Sequence, residues 1–193
     1  MILKLQDQLT NSDLKNLELL RGFIKSLQKV CIAYSGGVDS SLIAAIAQEQ
    51  LDNKAIAITG ISPSLAPHLL EEARLQAKWM GIEHHECKTN ELEDPNYFNN
   101  PTDRCFTCKQ ELHNHIAKIA KESSNATVLD GVNADDMSEF RPGIKAGQLA
   151  GVVSPFAELN INKSSIREIS KALGFPWWDK PAQPCLASRF SYG

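Results

Sequence analysis

The sequence predicts an α/β protein with a Rossmann-like open parallel sheet, and three observations carry that expectation. Short apolar runs alternate with amphipathic stretches of helical period, the pattern of strands linked by helical crossovers. One of those runs, residues 29–34, ends on Gly36 and Gly37 and passes at once into a helical stretch. The composition, 42% hydrophobic and 22% charged over 193 residues, allows one buried core and argues against global disorder.

The elements follow in order. Leu14, Leu17, Leu20, Ile24 and Leu27 recur at helical spacing, so residues 12–27 read as a capped amphipathic helix. Residues 29–34 are short and apolar, as a buried parallel strand is. A helix is expected over 39–51, a second buried strand over 54–59, and a helix over 66–80 that Gly81 stops. Residues 83–88 read as a third strand. The polar, proline-bearing stretch 89–104 reads as a loop, and 105–121 as a helix with Leu112, Ile116 and Ile119 on one face. A strand over 127–130, a loop with short helical pieces over 133–148, a last strand over 151–153 and a helix over 163–173 complete the pattern. The tail from Pro176 holds three prolines, two tryptophans and Cys185, and reads as an extended segment that must lie on something else.

The formal charge of -3 makes no electrostatic case for nucleic acid or a membrane surface. No apolar run approaches the ~20 residues that span a bilayer, and residues 1–20 lack the apolar region of a signal peptide. A cytoplasmic location is therefore expected. Five cysteines, an odd count, point to metal binding or thiol chemistry rather than a disulfide framework. Cys31 and Cys87, within strands, read as small core residues.

The run Ser35-Gly36-Gly37-Val38-Asp39-Ser40-Ser41 falls where a strand hands over to a helix, at the carboxyl edge of the sheet. Gly36 and Gly37 allow a sharp turn that brings N–H groups to an anion. Ser35, Ser40 and Ser41 add hydroxyls, and the helix N-terminus adds partial positive charge. No Lys follows the glycines, so the loop is not of the Walker A kind. Asp39 is expected to hold Mg²⁺ beside a pyrophosphate or to cap the helix.

Cys105 and Cys108 form a Cys-x-x-Cys at a helix start, a spacing that lets two thiolates reach one metal centre. Arg104, Lys109 and the helix N-terminus are expected to lower both thiol pKa values. Cys185 follows Pro184 and precedes Arg189. Three cysteines can hold a [4Fe-4S] cluster with one iron open; a redox or zinc pair with an unrelated third thiol is an equal alternative on spacing alone. Asp135 and Asp136 could hold Mg²⁺ or cap a helix, and Arg141 could bind a phosphate or form a surface ion pair. Trp177 and Trp178 read as packing residues.

Read together, four strings carry a resemblance. They are Ser35 to Ser40; Asn100-Pro101-Thr102-Asp103-Arg104-Cys105-Phe106-Thr107-Cys108-Lys109; Asp130-Gly131-Val132-Asn133-Ala134-Asp135-Asp136 with Arg141-Pro142-Gly143; and Trp178-Asp179-Lys180-Pro181-Ala182-Gln183-Pro184-Cys185-Leu186-Ala187-Ser188-Arg189. The first resembles the signature of PP-loop ATP-pyrophosphatases, and the set resembles the LarE family of ATP-dependent sulfur transferases. The resemblance implies ATP and Mg²⁺ as cofactors, and a small pyridinium mononucleotide whose carboxylates are adenylated and turned into thiocarboxylates. It implies that Ser35, Gly36, Gly37, Asp39 and Ser40 bind ATP and favours Arg141 as a phosphate ligand, while Ser41 and Asp135 are candidates on their own chemistry. Cys185 matches the sulfur-site cysteine, and Arg189 the basic residue beside it. Some members sacrifice that cysteine; others hold a [4Fe-4S] cluster on three, and the Cys105/Cys108 pair makes this chain similar to the latter. The competing readings are an amidating PP-loop synthetase and a tRNA-thiolating one. The family usually continues beyond the last string. The expected division is thus a PP-loop domain over 1–175 and the start of a C-terminal sulfur-transfer region over 176–193, with a homo-oligomeric assembly implied.

Overall fold

The computed structural model describes residues 3–139 and 141–193; residues 1, 2 and 140 fall within the expected first domain but outside the described residues. Four strands, β1 (Val30–Ala33), β2 (Ala55–Ile61), β3 (Glu83–Lys88) and β4 (Thr127–Leu129), form one sheet in the order β3-β2-β1-β4, all neighbours parallel. Parallel neighbours need crossovers, and helices supply them: α2 (Val38–Leu51) after β1, α3 (Pro67–Met80) after β2, and α5 (Arg104–Glu122) before β4. The chain winds outward from β1 to β3, then returns to place β4 on the other side of β1. That reversal opens a crevice between the loops that leave β1 and β4, the usual ligand position in such sheets.

Strand alternation splits the core in two. Val30 and Ile32 face a large cluster with Leu17, Leu20 and Ile24 of α1 (Asn11–Ser26) and with Ile166 and Ile169 of α8 (Lys163–Ala172). Cys31 and Ala33 face a smaller cluster with Ile116 and Ala120 of α5. α2 is buried almost all round because it lies between the sheet and both α1 and α8. Thr10 caps α1 by accepting from the Asp13 N–H at 3.1 Å. Burial holds the Cys31 thiol up at about 11, as suits a core residue.

The short helical pieces expected in the loop over 133–148 are present, and one of them is a two-turn helix, α6 (Pro142–Leu149). Pro142 sits at its first turn, where a missing N–H costs nothing, so the Pro-Gly pair opens a helix instead of marking a turn. The strand expected over 151–153 is a single parallel bridge from Val153 to Leu129, because the stretch between α6 and α7 (Pro155–Glu158) is too short to pair further. The loop over 89–104 carries a 3-10 turn, Glu91–Glu93, and a short helix, α4 (Pro95–Phe98).

The tail does lie on the rest of the chain. Trp177 packs against Phe175 and Trp79, with ring centroids 5.3 Å and 5.2 Å away. Beyond it the chain is extended to a one-turn helix, Leu186–Arg189. Leu186 donates to Ser64 O (2.9 Å) and Gly193 to Asn100 O (3.1 Å), which pins this segment beside the start of α5. No helix among the described residues is long and apolar enough to cross a membrane.

Candidate functional site

The loops after β1 and β4 touch. A Cβ on Gly131 would stand 2.9 Å from Ser40 N and 3.0 Å from Asp39 Cβ, so only glycine lets them approach. Gly36 has φ of +70°, and a Cβ there would meet Ala73 Cβ at 3.1 Å, so it too is required by its place. Ser40 Oγ accepts from Ser35 N at 3.2 Å and donates to Gly37 O at 3.2 Å, which ties the loop into a closed turn. Ser41 departs from the expectation: fully buried, it donates to Gln76 Oε1 (3.1 Å) and stands behind the loop, not in it.

Asp39 projects from the first turn of α2. It pairs with Lys163 Nζ and accepts from Asn133 Nδ2 at 3.3 Å. Lys163 opens α8, whose start is set by Asn162 as cap and by Asp135, which accepts from Lys163 N at 2.8 Å. Asp135 is therefore a helix-capping residue that is exposed and off the cavity, in place of the expected ligand contact. Asp136 takes the inward position: it accepts from Asn133 N (3.0 Å) and pairs with Arg141 at 2.9 Å. Arg141 also pairs with Glu139 (2.8 Å) at the head of α6. Buried Asp130 accepts from Ser154 Oγ (2.7 Å) and Val132 N (3.2 Å), which fixes the β4 loop.

These groups line one cavity of about 750 Å³, a size suited to a nucleotide. Ser35, Asp39, Ser40, Asp136, Arg141 and Lys109 give its polar wall; Ala33, Val132, Pro142 and Ile144 give an apolar one. Thr102, Cys105 and Tyr192 line the same cavity, which therefore reaches from the glycine loop to the Cys-x-x-Cys. Sequence reasoning missed Lys163, Asn133 and Lys180. Lys180 Nζ donates to Gly36 O (3.3 Å) and pairs with Glu72 (2.6 Å), so the tail clamps the loop from outside. Nothing local marked Lys163, since its place depends on α8 packing beside α2.

Cys105 is exposed to the cavity, while Cys108 turns inward one helical turn later. Burial, with help from the Glu91 carboxylate, pushes the Cys108 thiol up to about 12, against the lowering expected from Lys109 and the helix start. The tail docks beside the start of α5, but among the described residues Cys105, Cys108 and Cys185 are not gathered into a metal-holding set. Arg104 Nη2 donates to Ser188 Oγ (2.8 Å), which lies 3.3 Å from Cys185 Sγ. Arg189 is exposed and outside the cavity lining.

Among the described residues, no three His, Cys, Asp or Glu side chains stand ready to hold a metal ion. Mg²⁺ arriving with a nucleotide needs only one or two carboxylates, the phosphates and water completing its shell, and Asp39 fits that demand. An iron–sulfur cluster on Cys105, Cys108 and Cys185 would require the exposed tail to draw inward to close the set.

Comparison with known proteins agrees with this layout. The family model described as asparagine synthase matches residues 21–137. An uncharacterized protein of Synechocystis, slr1717, is 53% identical over 177 residues, covering 92% of this chain and 66% of that protein. The pyridinium-3,5-bisthiocarboxylic acid mononucleotide synthase of Lactiplantibacillus plantarum is 31% identical over 171 residues, covering 88% and 62%. The chain thus spans somewhat less than two thirds of the length of these relatives. The structure of NMN synthetase from Francisella tularensis superposes with a TM-score of 0.71 at 20% identity, covering 90% of this chain and 76% of that one, which speaks for the fold.

Proposed function

The chain belongs to the asparagine synthase family of PP-loop proteins, in its LarE branch, and from that premise we propose that it is an ATP-dependent sulfur transferase acting on pyridinium-3,5-biscarboxylic acid mononucleotide. One observation carries the reading: the glycine loop and Cys105 line the same cavity. A nucleotide bound at one end and a sulfur centre at the other are what carboxylate activation followed by sulfur attack requires.

In this scheme the N–H groups of residues 35–37 and the Ser35 and Ser40 hydroxyls hold the ATP phosphates. Asp39 would hold Mg²⁺, which would neutralise phosphate charge, and Lys163, released from Asp39, neutralises charge on the departing pyrophosphate. A substrate carboxylate oxygen attacks the α-phosphorus, the bond to the β-phosphate oxygen breaks, and pyrophosphate leaves. The acyl adenylate then has AMP as a good leaving group. Sulfur attacks the carbonyl carbon, AMP departs, and a thiocarboxylate remains. Arg141 and Lys109 are placed along the cavity to hold anionic parts of the two substrates.

The finer proposal concerns the sulfur. A [4Fe-4S] cluster on Cys105, Cys108 and Cys185 would supply it as an extra sulfide at its open iron. The Cys105/Cys108 spacing, and the docking of the Cys185 segment on Arg104 through Ser188, support that source. A second reading is loss of sulfur from Cys185 to leave dehydroalanine, and the partly exposed Cys185 thiol beside Ser188 Oγ favours it. The cytoplasm and a homo-oligomer belong to the same proposal.

The test is pyrophosphate release from Mg-ATP. Release that depends on a dicarboxylated pyridinium mononucleotide is expected. Release triggered by tRNA, or by ammonia with another acid, would replace this reading with a thiolating or amidating one. Iron and sulfide counts after anaerobic purification, with mass spectrometry of the Cys185 peptide before and after turnover, separate the two sulfur sources.

A further inference from the structure

Arg104 opens α5 beside Cys105 and is only 4% exposed. Its Nη2 is taken by Ser188 Oγ, but Nε and Nη1 have no hydrogen-bond partner. No Asp or Glu pairs with it among the described residues. A buried guanidinium with two donor nitrogens idle, Nε and Nη1, is costly unless an anion completes it. Asp103 makes no side-chain cap bond, so the partial positive charge of the α5 N-terminus adds to the same point. The Tyr192 ring centroid lies 5.0 Å from the guanidinium carbon, and Tyr192 lines the cavity, so one aromatic side chain separates these donors from it.

We propose that Arg104 is a carboxylate-binding residue at the cysteine end of the cavity, with Tyr192 as the side chain that yields to admit the anion. A planar carboxylate matches the guanidinium and is small enough to share the space beside Ser188. Bound there, it lies next to both Cys105 and Cys185. The inference deepens the sulfur-transfer reading by naming the group that aims a carboxylate-bearing acceptor at the sulfur. It rests on that reading only for the acceptor's identity.

The test therefore uses a probe other than that acceptor. Iodoacetate and iodoacetamide alkylate the same thiolate, by displacement of iodide, and differ in carrying a carboxylate or an amide. The ratio of their rates at Cys185 and Cys105 thus cancels the charge state of the thiol and reports carboxylate recognition. It is measured on the reduced, chelator-treated full chain, residue by residue, by mass spectrometry. We expect the wild-type ratio to exceed that of a free peptide of residues 183–189 by about tenfold. It falls to the peptide value in Arg104→Gln and is partly kept in Arg104→Lys. A residue that only ties the tail would change both reagents alike and leave the ratio unmoved, which overturns the proposal. Should Arg104→Gln fail to fold, a wild-type ratio equal to the peptide's overturns it just as well. Neither ATP nor a pyridinium nucleotide is present, so failure here is distinct from failure of the sulfur-transfer reading.

Discussion

The glycine loop and the cysteine-bearing tail face one cavity but are built in opposite ways. The loop sits between β1 and α2, both buried, and its internal hydrogen bonds join residues at most five apart. Its shape is inherited from the core beneath it. The tail from residue 180 is exposed along most of its length and contributes nothing to either core cluster. It is held by a few contacts to distant residues, from Lys180 to Gly36 O, Leu186 to Ser64 O, Ser188 to Arg104 and Ser191 to Asn100. Each such bond is worth about 1 kcal/mol net. The glycine-loop end is thus preorganised by folding, while the cysteine end is assembled by docking and can move without unfolding the domain.

The strongest way to break this contrast is at Gly131. Gly131→Val should cut ATP-dependent pyrophosphate release by at least about 100-fold, roughly 2.7 kcal/mol in the barrier, while the tail contacts persist. Turnover near wild type would mean that the two loops separate freely and that the nucleotide end is as soft as the tail. α5 joins both regions and carries a second test. His113 is buried in it, and burial lowers its pKa to about 4. The unfolded chain binds the proton near pH 6.5 and the folded one only near 4, so stability is present above pH 6.5 and lost as pH falls through that window. The loss should reach roughly 2–3 kcal/mol by pH 4, and His113→Leu should flatten that part of the thermal-unfolding profile.

Next in size, Lys163→Met should weaken Mg-ATP binding about tenfold by calorimetry, since it removes the cation at Asp39. An unchanged affinity would remove Lys163 from the phosphate site. The smallest effect belongs to the tail's clamp: Lys180→Ala should lower thermal stability by less than about 1 kcal/mol, because its partner Glu72 is half exposed. A loss of several kcal/mol would show the tail to be part of the core and erase the distinction between the regions.

The alternation of short apolar runs with helical periods was enough to place β1 and β2, because burial on both faces of a parallel strand leaves an apolar run that local composition reveals, whereas β3 is a polar, largely exposed strand that carries no such run. The glycine loop was legible for a similar reason: a strand, two glycines and a helix start are consecutive in the chain. Lys163 was not, since its meeting with Asp39 depends on α8 packing beside α1 and α2, more than a hundred residues away in sequence. Ser41 and Asp135 show the converse. Both have the right chemistry beside the right motif, yet the helix turns one into the core and the other onto the cap of α8. Cys108 was expected to be acidified by its basic neighbours, but charge is read from sequence more easily than burial, and burial dominates there. Residue types and local spacing thus settled the fold class and the local shape of the glycine loop, where the relevant forces act within a few residues. Which face each side chain presents, which thiol is buried and which cation meets Asp39 were decided only when distant helices and the tail packed together, because those energies belong to contacts that no short stretch of chain contains.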